Sequence, residues 1–207
     1  TEDGGAITGA LTASDIDGLT DGTLFTVSGP ASHGTASINA ATGAWSYTPV
    51  ADYNGSDSFT VTLTDDLGGT TTQLITLTVS PVVDIVDDNL SVNEDAAITA
   101  NVITGTFGAS ADNFDGTPVL TSVTQGAHGS VSFLPDGSVT YTPVANYTGS
   151  DTFTYTVTSP AGVTETATVN VTVNPVNDPG SFGGNTSGSG TEDGGAITGA
   201  LTASDID

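Results

Sequence analysis

Short segments in which apolar and polar residues alternate recur along the whole chain. Residues 58–64 and 152–158 alternate with a period of two, and residues 73–80 and 166–173 do the same. Thr, Val and Ile fill these segments, and β-branched side chains pack well on a pleated sheet. Apolar residues do not recur at i, i+3 and i+4 over the length of a helix. The pattern therefore predicts strands throughout and no long helix.

Turn signals separate the alternating segments. The sequences AATG at 41–44 and PDGS at 135–138 are typical of hairpin turns, in which Gly supplies a positive φ angle. DDLGG at 65–69 and SPAG at 159–162 each lie between the last two strand segments of a half-chain. About seven short strands with a turn roughly every ten residues indicate a Greek-key sandwich. The predicted fold class is all-β, with tandem Greek-key β-sandwiches.

The two ends of the chain share an identical sequence. Residues 191–207 read TEDGGAITGALTASDID, and residues 1–17 read the same, a displacement of 191 − 1 = 190 residues. An identity of this length has no reasonable explanation by chance. We expect the parent protein to repeat a 190-residue unit, and this chain to be an internal fragment with one unit and the beginning of the next.

The repeated unit itself consists of two related halves. Residues 48–84 and 142–178 are offset by 142 − 48 = 94 positions and are identical at 20 of 37 positions. The similarity extends backwards to the motifs TEDGGAITG and NEDAAITAN. The halves predict a β-sandwich at 1–84 that lacks its first strand, a second β-sandwich at 85–178, and at 179–207 a Gly/Ser-rich linker or strand followed by the start of the next repeat.

Acidic residues dominate the charged positions. The chain has 24 Asp and Glu residues, no Lys or Arg, and a formal net charge of −24. Nucleic acids and anionic membranes bind through basic residues, so neither is an expected partner. Because no Lys or Arg can neutralise a carboxylate within the chain, clustered acids are expected to bind a divalent cation. The alternative for the scattered acids is that they only keep the surface soluble.

Composition also limits the other chemistries. The absence of Cys excludes disulfides and thiolate metal sites, and the absence of Lys excludes Lys–Asn isopeptide cross-links. No apolar run approaches a membrane span and no signal peptide is present, so we expect no membrane insertion and an export signal elsewhere in the parent protein. No Ser–His–Asp arrangement recurs, and the paired acids repeat as they would in a scaffold, so an enzyme is not expected.

Aromatic and His residues at matching positions of the two halves are interpreted as structural. The tyrosines of the YxG motifs fit tyrosine corners, the phenylalanines that follow them are core residues, and the His residues of the HG turns pack in those turns. These are Tyr53 and Tyr147, Phe59 and Phe153, and His33 and His128. Trp45 alternates onto the same face as Tyr47 and is predicted to lie in the core or on a sheet face, although an exposed Trp could instead stack on a sugar.

Five motifs resemble a known group of repeats. SDIDG at 14–18, HGT at 33–35, YTPVADYNGSDSFTV at 47–61, DDLGG and the closing PVND resemble the cadherin-like and VCBS-type tandem repeats, bacterial Ig-like domains of giant RTX adhesins and related bacterial surface proteins. The resemblance covers essentially the whole chain. It implies Ig-like or cadherin-like sandwiches in a secreted or cell-surface protein, often exported by a type I route. Such proteins bind calcium between domains and act as long extenders of an adhesive tip.

Acids in loops and at domain edges are the candidate Ca²⁺ ligands. Asp15 and Asp17 are spaced i, i+2 on a loop, so both carboxylates can point at one ion, and Asp112 with Asp115 is a looser counterpart in ADNFDG. The alternative for any single Asp is an ordinary turn-capping role. Further candidates are the linker acids Asp84, Asp87 and Asp88, the pair Asn177 and Asp178 that ends the second half, and Glu2 and Glu94 in the first-strand motifs.

The resemblance to cadherins implies how these ligands assemble at two junctions. The first junction would take Glu2, Asp57, Asp84, Asp87, Asp112 and Asp115. The second junction would take Glu94, Asp151, Asn177, Asp178, Asp205 and Asp207. For Asp57 and Asp151 the alternative is that the YxGxD motif is purely structural. In addition, SPAG replaces DDLGG in the second half, so an acidic position is missing there.

These observations favour a structural extender repeat of a very large secreted bacterial adhesin or extracellular fibre, stiffened by calcium. Its partners would be neighbouring repeats of the same chain. One alternative is a self-assembling fibre, in which residues 179–207 either stay disordered or dock on the first sandwich of an identical chain, giving head-to-tail assembly. A second alternative is a carbohydrate-binding module that uses Trp45.

Overall fold

The computed structural model describes residues 1–16, 19–20 and 24–205, and these residues form strands and loops without a helix. Asp17 and Asp207 therefore lie outside the described residues. No helix long and apolar enough to cross a membrane occurs in the described part of the chain. The predicted all-β fold class, with tandem sandwiches, is confirmed.

The first sandwich pairs two three-stranded sheets. Its strands are β1 (Ile7–Ala10), β2 (Phe25–Gly29), β3 (Gly34–Ile38), β4 (Ala44–Pro49), β5 (Gly55–Thr64) and β6 (Thr70–Val79). One sheet has the order β1-β4-β3 and the other β2-β5-β6. The turn before β4 contains Gly43 at a φ angle of 70°, and DDLGG joins β5 to β6 as predicted. Among the described residues, no strand pairs with the outer edge of β6.

The second sandwich repeats this plan and adds a strand. Its strands are β7 (Asp88–Asn93), β8 (Ile98–Asn101), β9 (Val119–Val123), β10 (Gly129–Phe133), β11 (Ser138–Pro143), β12 (Gly149–Thr158) and β13 (Thr164–Asn174). The sheets have the orders β10-β11-β8 and β7-β13-β12-β9. The additional strand, β7, runs parallel to β13, with Asp88 opposite Val169. The linker acid Asp88 thus begins a strand of this sandwich.

The last part of the chain forms a hairpin of its own. Strand β14 (Ser181–Gly184) pairs antiparallel with β15 (Leu201–Ser204), and Ser181 lies opposite Ser204. The Gly/Ser-rich segment therefore includes a short strand, but its partner is the repeated motif rather than a sandwich. The predicted docking of this segment on another chain stays a prediction.

Alternation along the strands builds the two cores. In β12, Phe153, Tyr155 and Val157 are buried and the intervening Thr residues are not. Trp45 is half-buried and packs edge-to-face on Phe59, with ring centroids 5.6 Å apart. Trp45 thus packs against the core of the first sandwich, within the prediction of a core or sheet-face position.

The YxG and HG motifs support each other at the edge of each core. The Tyr53 hydroxyl donates a 2.8 Å hydrogen bond to the Ser56 carbonyl. The ring of Tyr53 stacks on His33 with centroids 4.2 Å apart, and His128 stacks on Tyr147 at 4.1 Å. The backbone bond and the stacking confirm the structural roles predicted for these residues.

Candidate metal centre at the junction of the sandwiches

Five carboxylates converge where the first sandwich meets the second. Glu2, Asp84 and Glu165 form one group, and Asp3, Asp52 and Asp84 form another. Within each group, one oxygen from each residue lies within 4.8 Å of the others. Asp84 belongs to both groups, so the linker lies at the centre of the arrangement. Such a set of hard oxygen atoms is the kind of site that calcium prefers.

Glu2 is held in place by the strand that ends the first sandwich. Its backbone N–H donates to the Ser80 carbonyl at 3.0 Å, which places the side chain against the linker. Glu2 Oε1 accepts a 2.5 Å hydrogen bond from the Val82 N–H, and Oε2 lies 3.4 Å from the Asn54 amide nitrogen. Its side chain is only 1% exposed. The first-strand motif thus places a buried carboxylate against the linker.

Asp84 is held in the linker by contacts with the second sandwich. The N–H groups of Asp84 and Ile85 donate to Glu165 Oε2 at 3.0 and 3.1 Å. The Asp84 carbonyl accepts a 2.7 Å bond from the Asn113 N–H. The side chain is 3% exposed, and its Oδ1 atom is buried with no hydrogen-bond partner. An oxygen in this condition needs a proton or a cation, and the chain has no Lys or Arg to supply the positive charge.

Asp52 comes from the loop before β5. Its φ angle is 53°, a left-handed conformation that Asp and Asn tolerate better than most residues. Oδ1 accepts a 3.1 Å hydrogen bond from the backbone N–H of Asp115, in the second sandwich. Oδ2 is buried without a partner, and the residue is 2% exposed. Asp115 therefore reaches the junction through its backbone.

The electrostatics of the group show how poorly its charges are compensated. Burial, together with the charges of Asp3, Glu165, Asp52 and Glu2, raises the pKa of Asp84 to about 6. Burial also raises the pKa of Asp52, although the Asp115 N–H acts in the opposite direction. A bound divalent cation would reverse both effects, because it favours the ionised carboxylates.

Asp57 and Asp151 have a different environment from the junction acids. The two carboxylate oxygens of Asp57 accept bonds from the N–H groups of Ser32, His33 and Ser58, and from the Tyr47 hydroxyl at 2.9 Å. Burial alone would raise its pKa, but these donors lower it overall. Asp151 has the equivalent four donors in the second sandwich. These contacts favour the structural alternative, so neither residue enters the site that we propose.

Three further candidate ligands, Asp87, Asp112 and Asp15, have other surroundings. Asp87 Oδ1 accepts a 2.7 Å bond from the Thr168 N–H. Asp112 Oδ1 accepts a 3.0 Å bond from the Val86 N–H, and its carboxylate lies 3.3–3.4 Å from the Tyr155 hydroxyl. Asp15 lines a separate cleft with Asp65 in the first sandwich. None of these three belongs to either group.

The second junction contains part of the predicted arrangement. Glu94 repeats the geometry of Glu2, because its Oε1 accepts a 2.7 Å bond from the Val176 N–H. Asn146, Asp178 and Asp205 line a cleft of about 360 Å³. Asn177 donates from its amide to the Asp178 carbonyl at 3.0 Å. Within the described residues, no group of three carboxylates forms there.

Sequence reasoning missed Asp3, Asp52 and Glu165. Asp3 follows Glu2 in a turn, and Asp52 precedes a tyrosine that was interpreted as structural. Glu165 lies in a Thr-rich strand and had no motif to mark it. The available signal for Asp52 was its place in the repeated xYxG motif, where the second half has Asn146.

Two family matches cover most of the chain. Residues 1–81 match the bacterial cadherin-like domain, and residues 79–172 match the bacterial Ig domain. The chain is a tandem of cadherin-like bacterial Ig repeats. Repeats of these families are typically extracellular or surface domains and are typically non-enzymatic. Cadherin-like domains commonly bind calcium.

The solved structures that resemble these repeats have low sequence identity to them. Protocadherin Gamma B7 extracellular cadherin domains 1–4 are 14% identical with a TM-score of 0.39, over 99% of this chain and 56% of that one. The human Desmocollin-1 ectodomain is 14% identical with a TM-score of 0.29, over 86% and 40%. The endo-fucoidan hydrolase MfFcnA4 from glycoside hydrolase family 107 is 19% identical with a TM-score of 0.33, over 75% and 24%. The repeats thus span from 24% to 56% of these chains. No curated protein matches the chain.

Proposed function

We propose that these repeats form a structural extender of a very large secreted bacterial surface protein, an adhesin or extracellular fibre, and that calcium at the junction stiffens it. The observation that carries the proposal is the pair of buried carboxylate oxygens, Asp52 Oδ2 and Asp84 Oδ1, which have no hydrogen-bond partner. The chain has no Lys or Arg to compensate them. The extracellular character of the repeat families supports the same reading.

The ligand geometry suits calcium better than a smaller ion. Calcium takes roughly six to eight oxygens at about 2.3–2.6 Å, so ligands on opposite sides of the ion lie roughly 4.6–5.2 Å apart. In each group the carboxylate oxygens lie close enough together to reach one ion of this size. Magnesium requires near-ideal octahedral geometry at about 2.0–2.1 Å and retains several waters, so it fits an irregular set of side chains less well.

Ion binding would join three parts of the chain. Glu2, Asp3 and Asp52 belong to the first sandwich, Asp84 to the linker and Glu165 to the second sandwich. Without the ion, these carboxylates repel each other and favour separation of the two sandwiches. With the ion, each sandwich contributes ligands to the same site, so the angle between the sandwiches becomes fixed.

Small-angle scattering of the chain in calcium and in chelator tests this mechanism. We expect a longer, narrower distribution of particle dimensions in calcium and a higher melting temperature. A ligand at a hundredfold excess over its Kd stabilises the folded state by about 2.7 kcal/mol. Glu2→Gln should abolish much of the difference, whereas the exposed Glu192→Gln should preserve it. Identical dimensions and identical melts in both conditions would contradict the proposal.

A self-assembling fibre is the second candidate, and the outer edge of β6 favours it. No strand of the described residues pairs with that edge, and Leu74 in β6 is exposed. An unpaired edge is a template for a strand from another chain. Light scattering of the full chain at high concentration should then show head-to-tail oligomers that are lost on deletion of residues 179–207. A monomer in both cases would remove this candidate. Sugar binding has no comparable support, because Trp45 packs on Phe59.

A further inference from the structure

The peptide bond that follows the second sandwich joins an Asp to a Pro. Of the nine Pro residues in the chain, only Pro179 follows an Asp, which is Asp178. The carboxylate of an Asp can attack its own carbonyl carbon through a five-membered ring, and such an intramolecular nucleophile acts at a high effective concentration. The Pro nitrogen belongs to a tertiary amide without an N–H, so it leaves more readily than an ordinary peptide nitrogen once it is protonated. The Asp178–Pro179 bond is therefore chemically disposed to intramolecular cleavage.

The side chain of Asn177 is directed at the carbonyl of this bond. Its amide nitrogen donates a 3.0 Å hydrogen bond to the Asp178 carbonyl oxygen. When a nucleophile adds to a carbonyl carbon, negative charge develops on the oxygen, and a donor that is already in place stabilises that charge. The Asn177 amide can thus act as an oxyanion donor for an attack at the Asp178 carbonyl carbon.

Contacts on both sides hold the segment that contains this bond. Before it, the Val176 N–H donates to Glu94 Oε1 at 2.7 Å, which attaches the segment to the second sandwich. After it, Ser181 pairs with Ser204 in the β14–β15 hairpin. Pro179 lies between these two points and is exposed. The bond is therefore held between two ordered parts of the chain, and water can reach it.

The corresponding segment of the first half lacks both features. PVVD ends the first half and PVND the second, so Val83 occupies the position that Asn177 has in the second half. Asp84 is followed by Ile85 rather than by Pro, and the Ile85 N–H donates to Glu165 Oε2 at 3.1 Å. The first half thus has neither the amide donor nor the prolyl nitrogen, and it provides an internal reference for the second.

We propose that the chain cleaves itself between Asp178 and Pro179. The Asp178 carboxylate adds to its own carbonyl carbon, the bond from that carbon to the Pro179 nitrogen breaks, and the nitrogen takes a proton from water. The intermediate is a cyclic anhydride at Asp178, which water hydrolyses to the side-chain carboxyl group and a new α-carboxyl group. The net reaction adds one water across the peptide bond and needs no oxidant or reductant. Asp178 becomes a C-terminus and Pro179 an N-terminus.

The cut separates one repeat unit from the start of the next. Residues 1–178 keep both sandwiches, whereas residues 179–207 contain the hairpin and the second copy of the repeated motif. Neither Asp178 nor Pro179 belongs to the carboxylate groups of the first junction, so the cleavage does not depend on calcium binding there. An extender built from such units would be shortened by whole units, with its sandwiches intact.

Intact-mass spectrometry of the full chain, incubated in mildly acidic buffer with chelator, tests the proposal. We expect fragments 1–178 and 179–207, while the Asp84–Ile85 bond stays intact in the same molecules. Asp178→Asn removes the nucleophile and should abolish the cut. Asn177→Val, which copies the first half, should slow it roughly two- to tenfold, as expected for the loss of one hydrogen bond to the oxyanion. Asp193→Asn, at an exposed acid of the tail, is the control and should leave the rate unchanged.

The rate in the folded chain is then compared with the rate in the urea-unfolded chain. The bond from the Asn177 amide belongs to the folded chain, so the wild type should be cut faster in buffer than in urea. Asn177→Val should remove most of this difference. Absence of the two fragments would overturn the proposal. Equal rates in buffer and in urea would also overturn it, because any flexible Asp–Pro bond would then suffice. Fragments that persist in Asp178→Asn would indicate a contaminating protease and would count against self-cleavage.

Discussion

The backbone N–H of Asp115 donates a 3.1 Å hydrogen bond to Asp52 Oδ1, and so joins a loop of the second sandwich to a loop of the first. The other carboxylate oxygen of Asp52 is buried and has no partner. The Asp52 side chain therefore links the two sandwiches and still offers an oxygen to an ion. Removing its charge should affect ion binding more than it affects the fold of either sandwich.

Asp52→Asn is expected to lower the calcium affinity of the first junction roughly tenfold or more, because affinity follows ligand charge. The second half already has Asn146 at the matching position, also with a positive φ angle, so the substitution fits the backbone. Isothermal titration of the variant and the wild type measures the change. The reciprocal variant Asn146→Asp should strengthen calcium binding near Asp178 and Asp205. Equal affinities in all three proteins would exclude Asp52 as a ligand.

Asp57→Asn is expected to destabilise the first sandwich without changing its calcium binding. Asn would keep one acceptor oxygen, lose the charge and turn its NH₂ group towards either the Ser32 N–H or the His33 N–H. Hydrogen bonds to a charged group contribute about 1.5–3 kcal/mol each, so we expect a loss of about 3 kcal/mol in urea unfolding. Asp136→Asn, at an exposed turn, is the control. A drop in calcium affinity with unchanged stability would instead favour the ligand role of Asp57.

The metal-free protein should become less stable as the pH rises through about 6. The pKa of Asp84 is raised to about 6 in the folded state, above its ordinary value for an unfolded chain. Between these two values the folded state binds more protons than the unfolded state, so the free energy of unfolding falls with increasing pH. Saturating calcium should flatten this dependence, because it stabilises the ionised form. Thermal melts from pH 4.5 to 7.5, with and without chelator, test both statements.

Calcium binding near pH 6 should also release protons, since the ligands must be ionised. Titrations in buffers of different ionisation enthalpy measure that release directly. Asp57 behaves oppositely, because its lowered pKa gives stability that is lost as the pH falls towards and through its folded value. No net proton release at pH 6 would contradict the assignment of Asp84 as a ligand.

The fold was predictable because alternation is local. In residues 58–64 and 152–158, the alternation of adjacent residues indicates which face of the sheet each side chain occupies. These segments lie in strands β5 and β12. The tail was less predictable. Its sequence repeats residues 1–17, yet Ile7–Ala10 is the strand in the first copy and Leu201–Ser204 in the second. The first copy pairs with β4, whereas the second pairs with β14, so the available partner decides which residues form the strand.

The site was predictable only where a motif marked it. Of the acids in the proposed site, the sequence indicated Glu2 and Asp84, because a repeated motif and a linker position mark them. Glu165 and Asp3 were not predicted. Their place in the proposed site depends on their distance from Asp84 in the folded protein, and the spacing of residues along the sequence does not predict that distance. Asp88 was identified as a linker acid, but its burial follows from the pairing of β7 with β13.

The two identical ends of the chain provide a matched pair of variants for the last prediction. Glu2 is buried, with Oε1 bonded to the Val82 N–H, whereas Glu192 has the same neighbours in sequence and is exposed. Glu2→Gln should cost about 1.5–3 kcal/mol of stability in calcium, because a hydrogen bond to a charged acceptor weakens and an ion ligand is lost. Glu192→Gln should cost almost no stability, although the chemical change is the same.

Urea unfolding of both variants in calcium, and again in chelator, separates the two contributions to the Glu2 effect. The part that persists in chelator belongs to the Val82 bond, and the part that disappears belongs to the ion. Equal effects of the two substitutions would show that burial at the junction contributes nothing, and would contradict the site.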